Sequence, residues 1–206
     1  MKISKYYRSF LRRKLNKCNR KRLNQKEFTI ISSNCVGGVI THELGRRFDS
    51  PTVNMYFEPS DYLKFIENLE YYIKECELTE DKGRSISRGY PVGRLNDLIL
   101  YFVHYDDFES AKKKWNARCK RIHWENLYFV LTQRDGCTEE QVYEFLDFSA
   151  KNKVVFTTND KLTDSQAYYI PGSVEGGEVI DLCLYKTKYT GRRWIDEFDY
   201  ADFLNK

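Results

Sequence analysis

Phe28–Gly45 reads FTIISSNCVGGVITHELG, and the fold class turns on how this stretch folds. Phe28–Ile31 is a run of aromatic and β-branched residues, long enough for a buried strand and too short for a helix. Ser32, Ser33 and Asn34 follow as a polar turn. Val36, Val39, Ile40 and Leu44 then recur at helical spacing, and Gly45 stands where a helix C-cap is expected. The stretch predicts strand, tight turn and helix, the first half of a βαβ unit. Gly37 and Gly38 leave room for ligand atoms near the backbone, and the free N–H groups of a helix start favour anions. The spacing is neither GxGxxG nor that of a phosphate-binding P-loop, so no nucleotide fingerprint is present.

Working outward, the alternation continues. Val53–Phe57 is expected as a second strand, followed by a helix that starts at Pro59-Ser60-Asp61 and carries Tyr62, Phe65, Ile66, Leu69, Tyr72 and Ile73 on its apolar stripe. Residues 77–94 are expected as the longest loop. Leu98–His104, with its uninterrupted LILYFV, predicts a central parallel strand buried on both faces. Leu127–Leu131 and Val154–Phe156 are the fourth and fifth expected strands. A helix from Phe108 precedes the fourth, and a capping box, Thr138-Glu139-Glu140-Gln141, opens the helix before the fifth. Val179–Tyr185 reads as an edge strand and Arg192–Leu204 as a terminal helix. The expectation is an α/β fold: a three-layer, mostly parallel Rossmann-like sheet with helices on both faces, formed by residues 27–206 as one domain.

The longest apolar run, Leu98–Val103, has six residues, far too few to cross a membrane. The basic N-terminus leads into no apolar segment of the signal-peptide kind. Six cysteines lie far apart without a CxxC pair, which points to reduced thiols and a cytoplasmic location. Charge is uneven. The chain carries +4, yet residues 1–26 hold eleven Lys/Arg and no acid, so the remainder is at −7. Ile3, Tyr7, Phe10, Leu11 and Leu15 trace one side of a basic amphipathic helix in that segment. Such a helix either lies on an anionic membrane surface, peripheral on the inner face, or packs on the core with its charges in water. The acidic body argues against a nucleic-acid partner.

In parallel sheets, ligands bind beyond the carboxyl ends of the strands. The residues delivered there are candidates. Ser32, Ser33, Asn34, Gly37, Gly38, Asn54, Arg94, Tyr105 and Arg134 are expected to contact a ligand, while His104, Cys35 and Asp135 are expected to supply chemistry. Cys35, at a helix start, reads either as a thiolate nucleophile with His104 as its base or as a small packing residue. His42, two turns into the helix, is expected to point away from that thiol. Asp106, Asp107 and Asp135 lack DxD spacing and read equally as helix caps, so no metal ligands are assigned. Residues 84–94 are expected to wall or cover a pocket of positive potential.

The ordered segments SSNCVGG, SPTVNMYF, PSDYLKFIENLEYY, YPVGRLNDLILYFVHYD, KKKWNARCKRI, RDGCTEE and KVVFT span about residues 28–160. Their order resembles a bacterial family known as domain of unknown function nineteen-nineteen, whose members are commonly labelled exopolysaccharide or capsule biosynthesis proteins. The resemblance implies a three-layer α/β fold and a cytosolic role in building surface polysaccharide. It carries over no catalytic residues. Many relatives have an aromatic after the first Cys, where this chain has Val36. The expected activity is that of a transferase, a glycosyltransferase using a nucleotide-sugar with or without a divalent metal. The alternatives are a Cys35-dependent acyltransferase or hydrolase, and a non-catalytic accessory protein that binds a saccharide or a partner.

Overall fold

The structure, a computed structural model, describes the backbone of residues 2–206 and the side chains of residues 6–206. In chain order it comprises α1 (Lys2–Arg22), β1 (Thr29–Ser32), α2 (Val36–Glu43), α3 (Pro59–Glu67), α4 (Leu69–Lys74), β2 (Leu78–Glu80), α5 (Lys82–Arg88), β3 (Val92–Leu95) and β4 (Leu98–Tyr101). There follow α6 (Phe108–Cys119), β5 (Leu127–Thr132), α7 (Glu139–Asp147), β6 (Lys153–Phe156), β7 (Ala167–Tyr168), β8 (Val174–Glu175), β9 (Glu178–Val179) and α8 (Tyr200–Phe203). The fold is mixed α/β. A parallel four-stranded sheet runs β1-β5-β6-β7, β2-β3-β4 form a three-stranded antiparallel sheet, and β8 pairs with β9.

The parallel sheet is apolar on both sides because neighbouring residues of its strands enter two different cores. Ile31, Phe129, Leu131 and Val155 pack with residues of α3, α6 and α7. Ile30, Tyr128, Val130 and Val154 pack with Val36 and Ile40 of α2 and Tyr200 and Phe203 of α8. Burial on both faces explains why these strands read as continuous apolar runs.

Three of the five expected parallel strands are present, and two are not. Leu98–Tyr101 is antiparallel to Val92–Leu95, in register with Leu95 opposite Leu98. The two strands join through Asn96-Asp97, with Asn96 at φ 55°, and a two-residue turn can only make a hairpin, since parallel strands need a long crossover. Residues 77–94 are therefore β2, α5 and β3 rather than a loop, with Asp81 capping α5 through Arg84 N. Residues 53–57 fail as a strand because Asn54 is left-handed, φ 67°; only Tyr56 bridges to Tyr101, and Phe57 N donates to Ser33 O at 2.9 Å. The expected helix from Ser60 breaks at Asn68 into α3 and α4. Of residues 179–185 only Val179 lies in a strand, the two-residue β9, with Tyr185 in an isolated bridge to Arg193, and the expected terminal helix resolves into a 3-10 turn, Trp194–Glu197, and the four-residue α8.

Helix α1 docks through a different face from the one its apolar residues trace. Arg12 and Asn16 are buried, whereas Tyr7 and Phe10 remain exposed. Arg12 Nε lies 3.0 Å from Glu43 Oε1, and its guanidinium also meets Asp196. Asn16 donates to Glu43, and Arg193 Nε sits 3.3 Å from the same carboxylate. Asn19 donates to the Tyr200 hydroxyl at 2.8 Å. Burying Arg12 is tolerable only because two carboxylates meet it.

Burial alone would raise the Glu43 carboxyl, but hydrogen bonds and charge from Arg12, with Asn16 and Arg193 behind them, outweigh it and hold Glu43 below the usual carboxylate range. Because the folded value is the lower one, the stabilisation is complete above the unfolded value, about 4.3 for Glu, and drains away as pH falls through the folded value. In urea unfolding at pH 7, Arg12→Ala is expected to lose about 3–5 kcal/mol, because it strands buried carboxylates. Glu43→Gln is expected to lower stability at pH 7 and to flatten the decline between pH 5 and 3; a wild-type slope in that variant would contradict the assignment.

Candidate functional site

A cleft of about 680 Å³ opens at the carboxyl end of the parallel sheet. Three segments that the sequence singled out converge on it: Asn34, Cys35 and Gly38 after β1, His104 after β4, and Arg134 with Asp135 after β5. Asn54 joins them from the turn that precedes Tyr56.

The local structure follows from small residues and turn chemistry. Asn34 Oδ1 accepts from Val36 N at 3.1 Å and so closes the turn that starts α2. At Gly37 an added Cβ would stand 2.8 Å from the Ser32 Cβ and 2.9 Å from Ile30 Cγ2. Gly37 thus lets α2 lie directly on β1. Its role is packing, which corrects its assignment as a ligand contact. Gly38 faces Val53, 3.2 Å from where its own Cβ would be, and lines the cleft. The Val53 carbonyl accepts from Arg118 Nη1 at 3.0 Å and from the Tyr105 hydroxyl at 3.3 Å. Those two buttresses fix the turn that presents Asn54.

Four other expected contacts are likewise spent on structure. Ser32 is buried, with its hydroxyl accepting from Gly37 N at 3.3 Å. Ser33 is buried, with its hydroxyl accepting from Thr132 N at 3.2 Å and stitching β1 to β5. Tyr105 holds the 53–54 turn from behind. Arg94 lies on the antiparallel sheet, 3.0 Å from Asp81, away from the cleft. Residues 84–94 also do not cover the main cleft. Arg88 instead lines a smaller one of about 340 Å³, which shares Tyr56 and Asp135 with its neighbour.

The structure overturns the expectation that His42 points away from the Cys35 thiol, and it brings further residues to the cleft. His42 lines the cleft with Cys35, Gly38 and Val39. Positions 35, 38, 39 and 42 share one helix face, and that spacing, seven residues from Cys35 to His42, was the available signal. Glu43, Asp181, Cys183, Leu184 and Arg193 close the opposite side. Four of these come from the irregular C-terminal region, where no periodicity marks them. Tyr56 stands between the two cavities and stacks on Tyr101, ring centroids 4.6 Å apart and planes within 10°.

Electrostatically the cleft is not positive, contrary to the expectation from the sequence, but sets two guanidinium groups against three carboxylates. Arg134 Nε is 3.2 Å from Asp135, Arg193 is held by Glu43, and Asp181 adds a third carboxylate. Asp135 at φ 57° and Gly136 at φ 82° turn two backbone N–H groups outward, but Glu178 already accepts from both, at 3.3 and 2.8 Å. Among the described residues, no group of three or more His, Cys, Asp or Glu is placed to hold a metal ion.

Cys35 is not primed for attack. Burial pushes its thiol up to about 11, with Asp181 acting the same way and Arg134 only partly opposing. Its Sγ faces the Met55 carbonyl at 3.9 Å. A thiol held neutral in this way lines the cleft without the charge a nucleophile needs near pH 7. In alkylation at pH 7.5 followed by peptide mass spectrometry, the exposed Cys18 is expected to react well before Cys35, whose rate should climb about tenfold per pH unit until near its own value. Rapid labelling of Cys35 at neutral pH would overturn this.

Comparison with known proteins places the chain among relatives without assigned activity. A family model described as Domain of unknown function (DUF1919) matches residues 6–205. An "Uncharacterized protein" of Haemophilus influenzae is 36% identical over 203 residues, covering 98% of this chain and 94% of that protein. By the extent of both matches, this chain belongs to the family described as Domain of unknown function (DUF1919).

Proposed function

We propose that the cleft is the saccharide site of a transferase that builds bacterial surface polysaccharide, a glycosyltransferase using a nucleotide-sugar on a three-layer, Rossmann-like α/β scaffold. The observation that carries this reading is the convergence of Asn34, Asn54, His42, His104, Arg134 and Asp135 on one cavity beside an aromatic ring, Tyr56. Amides, paired charges and an aromatic wall suit a ligand rich in hydroxyls. Side chains already held by neighbours lose little freedom when such a ligand binds. The resemblance in the signature segments supplies the polysaccharide context.

In this reading the protein chiefly positions two substrates. His104 takes the proton of the acceptor hydroxyl, and Asp135 is the alternative base. The freed oxygen bonds to the anomeric carbon as the bond from that carbon to the diphosphate breaks, and the nucleoside diphosphate departs with the bonding electrons. Arg134 and Arg193 are the cations nearest the reaction. A divalent metal, if bound with the nucleotide-sugar, would add positive charge at the diphosphate.

The high value of the Cys35 thiol favours this chemistry over acyl transfer. The excess of carboxylates over guanidinium groups in the cleft favours a second reading, in which the protein binds a neutral saccharide without transferring it.

A thermal-shift screen of nucleotide-sugars, with and without magnesium or manganese, separates the two. At one hundred times its Kd, a ligand of the folded state adds about 2.7 kcal/mol, which raises Tm by about 5–10 °C in a chain of this size. Arg134→Ala is expected to abolish the shift, while Arg94→Ala, outside the cleft, should keep it. His104→Ala should leave binding and cut nucleoside diphosphate release by about 10²–10⁴-fold. A shift with free saccharides and none with any nucleotide-sugar would replace the transferase by the binding protein.

A further inference from the structure

Helix α1 presents two incompatible faces, and only one of them is used. Its inward side carries Arg12, Asn16 and Asn19, which meet Glu43, Asp196 and Tyr200. On the opposite side, Tyr6, Tyr7 and Phe10 are 74%, 55% and 48% exposed. Burying a charged residue while leaving three aromatics in water is the reverse of what a helix folded only for its own core would do.

The outward side continues towards the C-terminus of α1 with Arg13, Lys14, Lys17 and Lys21. Lys14 Nζ sits over the Phe10 ring at 5.1 Å, so aromatic and basic groups interleave. A shallow groove of about 450 Å³ is walled by Arg13, Asn16, Lys17, Arg20 and Lys21. The segment 185–193 packs against the start of the helix, with Arg8 stacked over Tyr185 at 4.3 Å and Gly191 close to the Arg8 carbonyl. That segment and its edge bring two further exposed apolar residues, Leu184 and Tyr189. Among the described residues, five of the nine large hydrophobics left exposed therefore belong to α1 or to the chain packed on it.

We propose that the outward side of α1 is a docking surface for an anionic membrane, with Tyr6, Tyr7 and Phe10 seated among the headgroups and Arg13, Lys14, Lys17 and Lys21 on lipid phosphates. Aromatic rings with a polar edge settle at the bilayer interface, and basic side chains gain from its negative surface potential. No helix of the described residues is long and apolar enough to cross a membrane, so contact of this kind is made from one side. Charge selects lipid over other surfaces. The exposed bases Arg13, Lys14, Lys17 and Lys21 share the outward side with the rings, while the acid of the chain lies beyond residue 26, where the net charge is −7. RNA would meet the same lysines and could stack on the rings, but the acidic body, at −7, would repel its backbone. The inference does not depend on what the cleft binds.

Co-sedimentation of the full chain with vesicles tests this. Phosphatidylglycerol–phosphatidylcholine vesicles should bind the protein at low salt, and pure phosphatidylcholine vesicles should bind it at least about tenfold more weakly. Raising the salt should release it. The triple variants Lys14→Glu/Lys17→Glu/Lys21→Glu and Tyr6→Ser/Tyr7→Ser/Phe10→Ser should each weaken binding at least about tenfold. Because these side chains are exposed, both variants should keep the wild-type melting temperature, which separates loss of docking from loss of fold. Absence of vesicle binding, equal binding to both vesicle types, or unchanged binding by the charge-reversed variant would overturn the proposal. So would single-stranded RNA that binds more tightly than the anionic vesicles at the same salt.

Discussion

The buried carboxylate of Glu43 is the point on which this molecule closes. It ends α2, meets Arg12 and Asn16 from α1, and meets Arg193 from the C-terminal segment, so that three pieces of chain far apart in sequence share one charge. A carboxylate this deep cannot stay ionised without such partners, and the partners cannot be buried without it. The mutual need fixes where α1 lies across the body. It also carries Arg193 to the wall of the cleft, because Glu43 and Arg193 both line the cavity.

On the other side of the cleft the constraint is steric. Absence of a Cβ at Gly37 brings α2 against Ser32 and Ile30, and that contact sets Cys35, Gly38 and His42 at the sheet's carboxyl edge. The turn bearing Asn54 is held from below by Arg118 and Tyr105. Asn54 and Asp135 both have left-handed backbone, at 67° and 57°, and both line the same cavity. Asn and Asp tolerate that conformation better than most residues, at a cost the surrounding hydrogen bonds must cover.

Several residues picked for chemistry turn out to hold the frame. Ser32, Ser33, Gly37 and Tyr105 all stand within the signature segments, and each makes a backbone contact or a close approach that the fold requires. Small hydroxyls and glycines at a strand end serve turns and ligands by the same means, namely hydrogen bonding and steric absence. Their identity alone does not separate the two uses. Cys35 shows the same ambiguity: its place at a helix start suggested a thiolate, while burial pushes the thiol's pKa up.

Local pattern by itself determined the parallel strands at residues 29–32, 127–132 and 153–156, the helices that follow the first two of them, and the Thr138–Gln141 capping box. His104 was set at a strand end by a parallel reading of 98–104 that the hairpin overturns, whereas local pattern placed Asn34, Arg134 and Asp135 just beyond strand ends. These follow from periodicity and capping, which act over a few residues and are written in them. Tertiary structure alone decided the direction of Leu98–Tyr101, since an apolar run looks the same in a parallel sheet and in a hairpin, and only the strand it pairs with settles the matter. It alone decided which face of α1 is buried, because the partners of Arg12 lie 31 and 184 residues away. And it alone brought Asp181, Cys183 and Arg193 to the cleft, since an irregular segment has no period to read and takes its position from the surfaces it meets.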